Sequence, residues 1–228
     1  MRLIGRGRDP GRFAQRREAM IREQLRSRGI DDPAVLAAMA AVPRERFVPR
    51  DLVERAYADG ALGIGNGQTI SQPYIVARMT IALGQRVDQP GTPPCVLEIG
   101  TGSGYQAAIL AELGARVVTI ERDAQLALGA RQRLADLGYD RVRVEVGDGS
   151  AGWPADAPYD GILVAAACPE PPEPLLAELA DGGRLVAPVG SRDLQELTVV
   201  RRVGQRLETE VLEPCVFVPL IGRFGFPA

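Results

Sequence analysis

Glu98, the alternating glycines Gly100, Gly102 and Gly104, and Glu121, 21 residues beyond the first of those glycines, form the most informative spacing in the chain. An apolar run, Val96-Leu97-Glu98-Ile99, gives way to the loop Gly100-Thr101-Gly102-Ser103-Gly104, and a helical pattern opens at Tyr105. Glycine lets the backbone turn sharply and lets a ligand approach it with no Cβ in the way. A helix starting there aims unpaired N–H groups at whatever lies over the loop. Glu121 closes a second apolar run, Val117-Val118-Thr119-Ile120, where a carboxylate can accept both hydroxyls of a ribose. The pattern reads as a nucleoside-cofactor site; the plain alternative is a simple strand-to-helix turn.

The glycine spacing narrows the cofactor. A dinucleotide fingerprint, G-x-G-x-x-G, needs a third glycine for close helix–strand packing. Counted from Gly100 that position is Tyr105, and counted from Gly102 it is Ala107. The sequence present, E-x-G-x-G-x-G, resembles S-adenosylmethionine-dependent methyltransferases of the Rossmann-like class. That resemblance implies a loop facing the methionine part of the cofactor, with S-adenosyl-L-homocysteine as product.

Composition removes much other chemistry. The chain has 228 residues, no histidine, and 27 basic residues that are all arginine. Histidine bases, Ser-His and Cys-His nucleophiles, Schiff-base lysines and the P-loop lysine are therefore excluded. Carboxylates, hydroxyls, arginines and backbone amides remain. Nothing in that set is expected to titrate near neutrality. Cys95, Cys168 and Cys215 lie far apart in apolar runs and read as buried thiols of a cytoplasmic protein, with no disulfide framework and no metal site. A net charge of −2 and a pI near 5.4 leave no footprint for nucleic acid. No apolar stretch approaches the roughly 18 residues of a membrane span.

The elements that must position these residues are helical first and α/β afterwards. Residues 1–15 read as an arginine-rich, disordered extension, and 16–228 as a single domain: a helical and substrate-loop part over 16–84 and a cofactor-binding sheet over 95–228. Helical patterns cover Arg12–Arg28, closed by Gly29, and Asp31-Asp32-Pro33 starts a second helix that Pro43 stops. Asp51–Ala58 reads as a short helix, Leu62–Gln72 as a glycine-containing loop, Pro73–Leu83 as a helix and Gln85–Pro94 as a linker. From Cys95 strands and helices alternate, which implies a mostly parallel, doubly wound sheet. The strands are placed at Cys95–Ile99, Val117–Glu121, Val142–Val146, Gly161–Ala165 and Arg184–Val189, with helices at Gln106–Leu113, Ala124–Leu137 and Pro174–Leu179. A C-terminal hairpin follows, Glu196–Val203 and Arg206–Val211, and Val216-Phe217-Val218 reads as a last strand. Ligand belongs beyond the carboxyl ends of the first strands. Gly147-Asp148-Gly149 ends the third, where Asp148 either accepts from a purine amine or forms an Asx turn.

Several runs together resemble the protein-L-isoaspartate O-methyltransferase family. They are Gln68-Thr69-Ile70-Ser71-Gln72-Pro73-Tyr74, Val96 to Tyr105, Gly147-Asp148-Gly149, Gly182-Gly183-Arg184-Leu185, Pro188-Val189-Gly190 and Phe217-Val218-Pro219-Leu220, preceded by Ala41-Val42-Pro43-Arg44-Glu45-Arg46-Phe47-Val48. The resemblance spans about Arg16 to Leu220 and implies a Rossmann-like S-adenosylmethionine-dependent fold. It further implies methyl transfer to the free α-carboxylate of isoaspartyl residues in damaged proteins, which starts their return through a succinimide. By it, Ser71 is the active-site serine that places the acceptor, with Thr69 and Ile70 lining the same pocket. The cofactor set is Gln68, Glu98, Gly100, Thr101, Gly102, Ser103, Gly104, Glu121, Asp148 and Gly149. Arg223, past Phe217–Leu220, is a candidate for the anionic acceptor or an ordinary surface arginine, and Ser71 is otherwise a helix-entry residue ahead of Pro73. Tyr74 stands where some members have histidine, and Ala165 where relatives often have glycine or threonine. The implied partners are isoaspartyl proteins and peptides, met by a cytoplasmic monomer without nucleic acid, membrane or metal. Two alternatives stand beside this: a related carboxylate O-methyltransferase acting on a ribosomal peptide natural product, and a non-catalytic nucleotide-binding module.

Overall fold

A computed structural model of the chain describes residues 10–84 and 92–227. Most of the expected N-terminal extension, residues 1–9, and most of the expected linker lie outside those residues. Residues 10–15 belong to the first helix, α1 (Pro10–Met20), which runs on through a π turn (Ile21–Leu25) and a 3-10 turn (Arg26–Arg28). Phe13 is buried there and Arg12 pairs with Glu54 at 2.5 Å, so this segment is tied to the body of the protein. Gly29, at φ +81°, ends the run in a left-handed conformation that a Cβ disfavours. α2 (Pro33–Ala41) starts as its sequence dictates, with the Asp32 carboxylate accepting from Ala34 and Val35 N–H at 2.9 Å and proline in the first turn. The expected helix over 51–58 is instead a 3-10 stretch, Arg50–Arg55.

The expected loop over 62–72 is largely a β-hairpin. β1 (Leu62–Gly65) pairs antiparallel with β2 (Gln68–Ile70). Asn66 and Gly67 link them with φ of +50° and +70°, the geometry of a tight hairpin turn in which both central residues need positive φ. α3 (Pro73–Leu83) follows and stops at Gly84.

Among the described residues the main sheet has seven strands. β3 (Cys95–Ile99), β4 (Arg116–Glu121), β5 (Val142–Val146), β6 (Tyr159–Val164) and β7 (Leu179–Gly190) run parallel, and β8 (Gln195–Val203) and β9 (Arg206–Cys215) add antiparallel at one edge. Their order is β5-β4-β3-β6-β7-β8-β9, so the chain changes direction between β3 and β6 and opens a crevice there. The central strands feed both faces. Val96, Leu163 and Val186 pack toward α3 and α4 (Tyr105–Glu112), whereas Leu97, Ile162 and Leu185 pack on the side of α6 (Glu173–Ala177). A third core joins the N-terminal helices to α4 and α5 (Ala124–Asp136) through Phe47, Tyr105, Ile109 and Leu134.

Several boundaries differ from the sequence reading, most of all that of β7, expected over Arg184–Val189 and observed over Leu179–Gly190. The helix placed at Pro174–Leu179 ends at Ala177, because Leu179 already pairs with Tyr159 as the start of β7. Val216–Val218 forms no strand: β9 extends to Cys215, and the chain beyond it makes two isolated bridges, Pro219 to Ala167 and Ile221 to Phe226. Cys95 and Cys168 are buried and Cys215 is only half-buried; all three thiols are free.

Candidate active site

The carboxyl ends of β3 and β4 create the site because three glycines in succession take conformations that side chains disfavour. Gly100, Gly102 and Gly104 have φ of +91°, +51° and +89°. Gly100 N–H and Thr101 N–H both donate to the Ile120 carbonyl, at 2.8 and 3.3 Å, which folds the loop back over the end of β4. Gly104 faces inward, where a Cβ would sit 3.1 Å from Leu134, and α4 begins directly after it.

Two buried carboxylates flank the loop with different tasks. Glu121 at the end of β4 accepts from Gly102 N–H at 2.9 Å and from Asp123 N–H at 3.0 Å, so it shapes the loop while keeping lone pairs toward the cavity. Glu98 on β3 is fully buried. One of its oxygens accepts from the Thr119 hydroxyl at 2.5 Å, and that hydroxyl lies 2.7 Å from Thr101 Oγ1. The other oxygen, Oε1, has no partner among the described residues. Burial pushes the Glu98 pKa up to about 8, with the Thr119 hydrogen bond opposing and the nearby Glu121 charge adding to the rise. Absence of histidine had suggested a site with no group titrating near neutrality. Desolvation of a carboxyl supplies one.

A cavity of about 470 Å³ lies over this floor, within the size range of small-molecule sites. Gln68, Thr69, Ile70, Ser71, Glu98, Gly100, Thr101, Gly102, Ser103, Glu121 and Gly149 all line it, joining residues from both halves of the chain. The roof is the β1–β2 hairpin. A Cβ on Gly102 would lie 3.3 Å from Ile64 and 4.0 Å from the Thr69 carbonyl. Asn66 at the hairpin tip donates to Asp123 Oδ2 at 2.8 Å, and the same Asp123 caps α5 through Gln125 and Leu126 N–H. Asn66, Met79 and Asp123 also line the cavity, though no sequence motif marked them for it, and Ala166 and the stretch Val218–Ile221, which overlaps the run Phe217–Leu220, line it too. For Asn66 a signal existed, since Asn-Gly between two short runs is a hairpin turn sequence.

Thr69 and Ser71 line a second cavity too, of about 490 Å³, whose other walls include Arg28, Tyr74, Glu213, Val216 and Phe217. The stretch Thr69-Ile70-Ser71 is thus the partition between two spaces, one against the glycine loop and one open toward β9. Arg28 pairs with Asp59 and stacks over the Tyr74 ring at 5.3 Å, while the Tyr74 hydroxyl donates to Glu213 at 3.2 Å.

Asp148 and Arg223 take other places. Neither is among the residues lining the first cavity. Asp148 forms the Asx turn: Oδ1 accepts from Ser150 N–H at 3.0 Å and from its hydroxyl at 2.7 Å, while Oδ2 accepts from Arg223 N–H at 2.7 Å. Burial raises the Asp148 pKa, but these hydrogen bonds outweigh it and hold the carboxyl below its ordinary value. Arg223 contributes its backbone to that bond; its side chain is exposed and lies over the Phe224 ring at 5.2 Å. Gly149, the neighbour of Asp148, does reach the cavity and leaves no room for a Cβ against Ile99.

Comparison with known proteins agrees with this geometry. A model of the protein-L-isoaspartate(D-aspartate) O-methyltransferase family matches residues 15–225. A protein-L-isoaspartate O-methyltransferase of Methanoregula boonei is 56% identical over 210 residues, covering 92% of this chain and 94% of its own. One from Methanoculleus marisnigri is 55% identical over 219 residues, covering 96% of each. Among solved structures, a protein-L-isoaspartate O-methyltransferase superposes with a TM-score of 0.81 at 28% identity, over 92% of this chain and 67% of that one. A Plasmodium falciparum protein of the same description, solved with S-adenosyl-L-homocysteine, gives 0.77 at 25% identity over 90% of this chain and 98% of that one. The chain belongs to the protein-L-isoaspartate(D-aspartate) O-methyltransferase family.

Proposed function

We propose that this chain transfers a methyl group from S-adenosyl-L-methionine to the free α-carboxylate of isoaspartyl residues in damaged proteins. The observation that carries the reading is the partition: Thr69 and Ser71 face both the cavity over the glycine loop and the open cavity beside β9. A methyl donor in the first and a peptide acceptor in the second meet at that wall.

The first cavity fits the cofactor. Glu98 Oε1 is a buried acceptor that lacks a donor, where the methionine part would bring a primary ammonium. Glu121 holds the loop with two backbone donors and keeps capacity for a ribose diol. When bound, the cofactor supplies an electrophilic methyl on a sulfonium. The residues of the chain bind, align and exclude water. An isoaspartyl α-carboxylate has a pKa of about 3–4, so it arrives ionised and needs no general base. Ser71 therefore acts by holding an oxygen of that anion in line, which is catalysis by proximity and orientation. Held in line by Ser71, the carboxylate oxygen would take that methyl and become a methyl ester, the sulfonium sulfur keeping the electron pair of the bond it gives up.

Residues 16–228 act in this reading as a single domain, working as a cytoplasmic monomer on protein and peptide acceptors. Three free thiols support a reducing compartment. The slight net negative charge of −2 supports polypeptide acceptors over nucleic acid.

The test is methyl transfer to paired peptides that differ only in isoaspartate or aspartate at one position. Isoaspartyl peptides are expected to be methylated with strong preference, and Ser71→Ala to lower kcat while leaving S-adenosyl-L-homocysteine affinity unchanged. Equal rates on both peptides, or a Ser71→Ala variant with full turnover, rule the assignment out.

A further inference from the structure

Among the described residues, Arg44 is the largest fully buried side chain and has no carboxylate partner. An unpaired buried guanidinium is costly, and desolvation lowers the Arg44 pKa accordingly. Neighbouring Glu45 does not neutralise it, being engaged with Arg17 and with the Tyr57 hydroxyl. What Arg44 does have is geometry. Nε donates to the Ala56 carbonyl at 2.8 Å and Nη2 to the Ser71 carbonyl at 2.7 Å. Those two carbonyls bracket the segment 56–71, which contains the whole β1–β2 hairpin. The guanidinium carbon Cζ also lies over the ring of Tyr105, 4.7 Å from its centroid; Tyr105 is the first residue after the glycine loop and a wall of the first cavity.

We propose that Arg44 is a positioning residue for methyl transfer: its rigid fork closes the base of the hairpin and sets Ser71 against the head of α4, fixing acceptor seat and cofactor loop to one another. This rests on Ser71 being the residue that seats the acceptor. Lysine cannot replace the function, because a single ammonium does not hold two divergent carbonyls in a planar fork while stacking on a ring. A misplacement of about 1 Å at the reacting atoms lowers turnover by about 100-fold, whereas the cavity floor, built by β3 and β4, stays in place. Loss of Arg44 thus separates turnover from cofactor binding.

The experiment compares Arg44→Lys and Arg44→Ala with the unaltered protein, measuring kcat on an isoaspartyl peptide, S-adenosyl-L-homocysteine affinity by calorimetry, and thermal unfolding. Both variants are expected to lose about 10–100-fold in kcat, with cofactor affinity nearly unchanged, and added guanidinium at millimolar concentration is expected to restore part of the Arg44→Ala turnover. Where Arg44→Ala does not fold, Arg44→Lys decides. Full turnover in a folded variant overturns the proposal. So does a loss of kcat that follows the unfolded fraction or the loss of cofactor affinity, with no rescue by guanidinium. Failure of the unaltered protein to methylate isoaspartyl peptides would instead remove the functional reading beneath it.

Discussion

Glu98 shows how environment rewrites a residue that the sequence identifies only by place. The spacing E-x-G-x-G-x-G locates it on the strand that feeds the glycine loop, yet its protonation state depends on burial from every side. With a pKa raised from 4.5 to about 8, it is a neutral carboxyl at pH 7 in the unliganded protein. The folded state then binds more protons than the unfolded chain between those values. This contribution to stability is present at low pH and is lost as pH rises from 4.5 toward 8. A ligand ammonium at Oε1 favours the carboxylate, so cofactor binding at pH 6–7 is expected to release a proton, and affinity to rise by about tenfold per pH unit up to about pH 8. Glu98→Gln should abolish both effects. Calorimetry in two buffers of different ionisation enthalpy reads the proton directly, and binding without proton release contradicts the assignment. Glu121 has the plainer role of accepting two backbone N–H groups. Glu121→Ala is expected to weaken S-adenosyl-L-homocysteine binding by about 1–3 kcal/mol through lost charge-assisted hydrogen bonds, a change that titration calorimetry resolves.

The hairpin over residues 62–70 is the element where sequence reading fell short. Its strands have four and three residues, too few for a period-two pattern to stand out, and three nearby glycines read as loop. The informative pair was Asn66-Gly67, whose tolerance of positive φ makes the two-residue turn. Because Ile64 and Thr69 lie over Gly102, and Asn66 is held by Asp123, the hairpin closes the cavity and is tethered at its tip. Asn66→Gly keeps the backbone conformation and removes only the tether. It is expected to speed S-adenosyl-L-homocysteine release several-fold while changing folding stability by less than about 1 kcal/mol. Stopped-flow displacement measures the first and denaturant unfolding the second; an unchanged release rate shows that the tether does not gate the site. The boundaries of α6 and β9 were likewise misjudged, because pairing with a neighbouring strand, unseen along the sequence, decides where a strand begins or ends.

Across the whole protein, the N-terminal helices share one apolar core with α4 and α5, the helices that flank the sheet, through Phe47, Tyr105, Ile109 and Leu134. Phe47 meets Tyr105 edge-on at 5.5 Å, which joins the helical layer to the residue that follows the glycine loop. Halves packed this way are expected to unfold together. A cofactor product held between them stabilises both, by about 2.7 kcal/mol at 100-fold over its dissociation constant. For a chain of this size that corresponds to a rise of about 5–10 °C in Tm. Scanning calorimetry should show one transition moving upward with S-adenosyl-L-homocysteine. Two transitions, of which only one responds, would mean that the layers fold independently.

Order of elements, parallel sheet and glycine loop were legible in the sequence because they follow from local sterics and from largely alternating strand and helix patterns. A glycine at every second position can be recognised wherever the chain must turn under a ligand, and Asp32-Pro33 announces its helix without help from any other segment. Which groups meet across the fold was not legible. Asn66 and Asp123 are 57 residues apart, Asp148 and Arg223 are 75 apart, and Arg44 reaches Ser71 across 27. Such contacts, like the desolvation that raises the Glu98 pKa, depend on the packing of whole layers. Burial is a property of everything around a residue, so it exists only after the chain has folded.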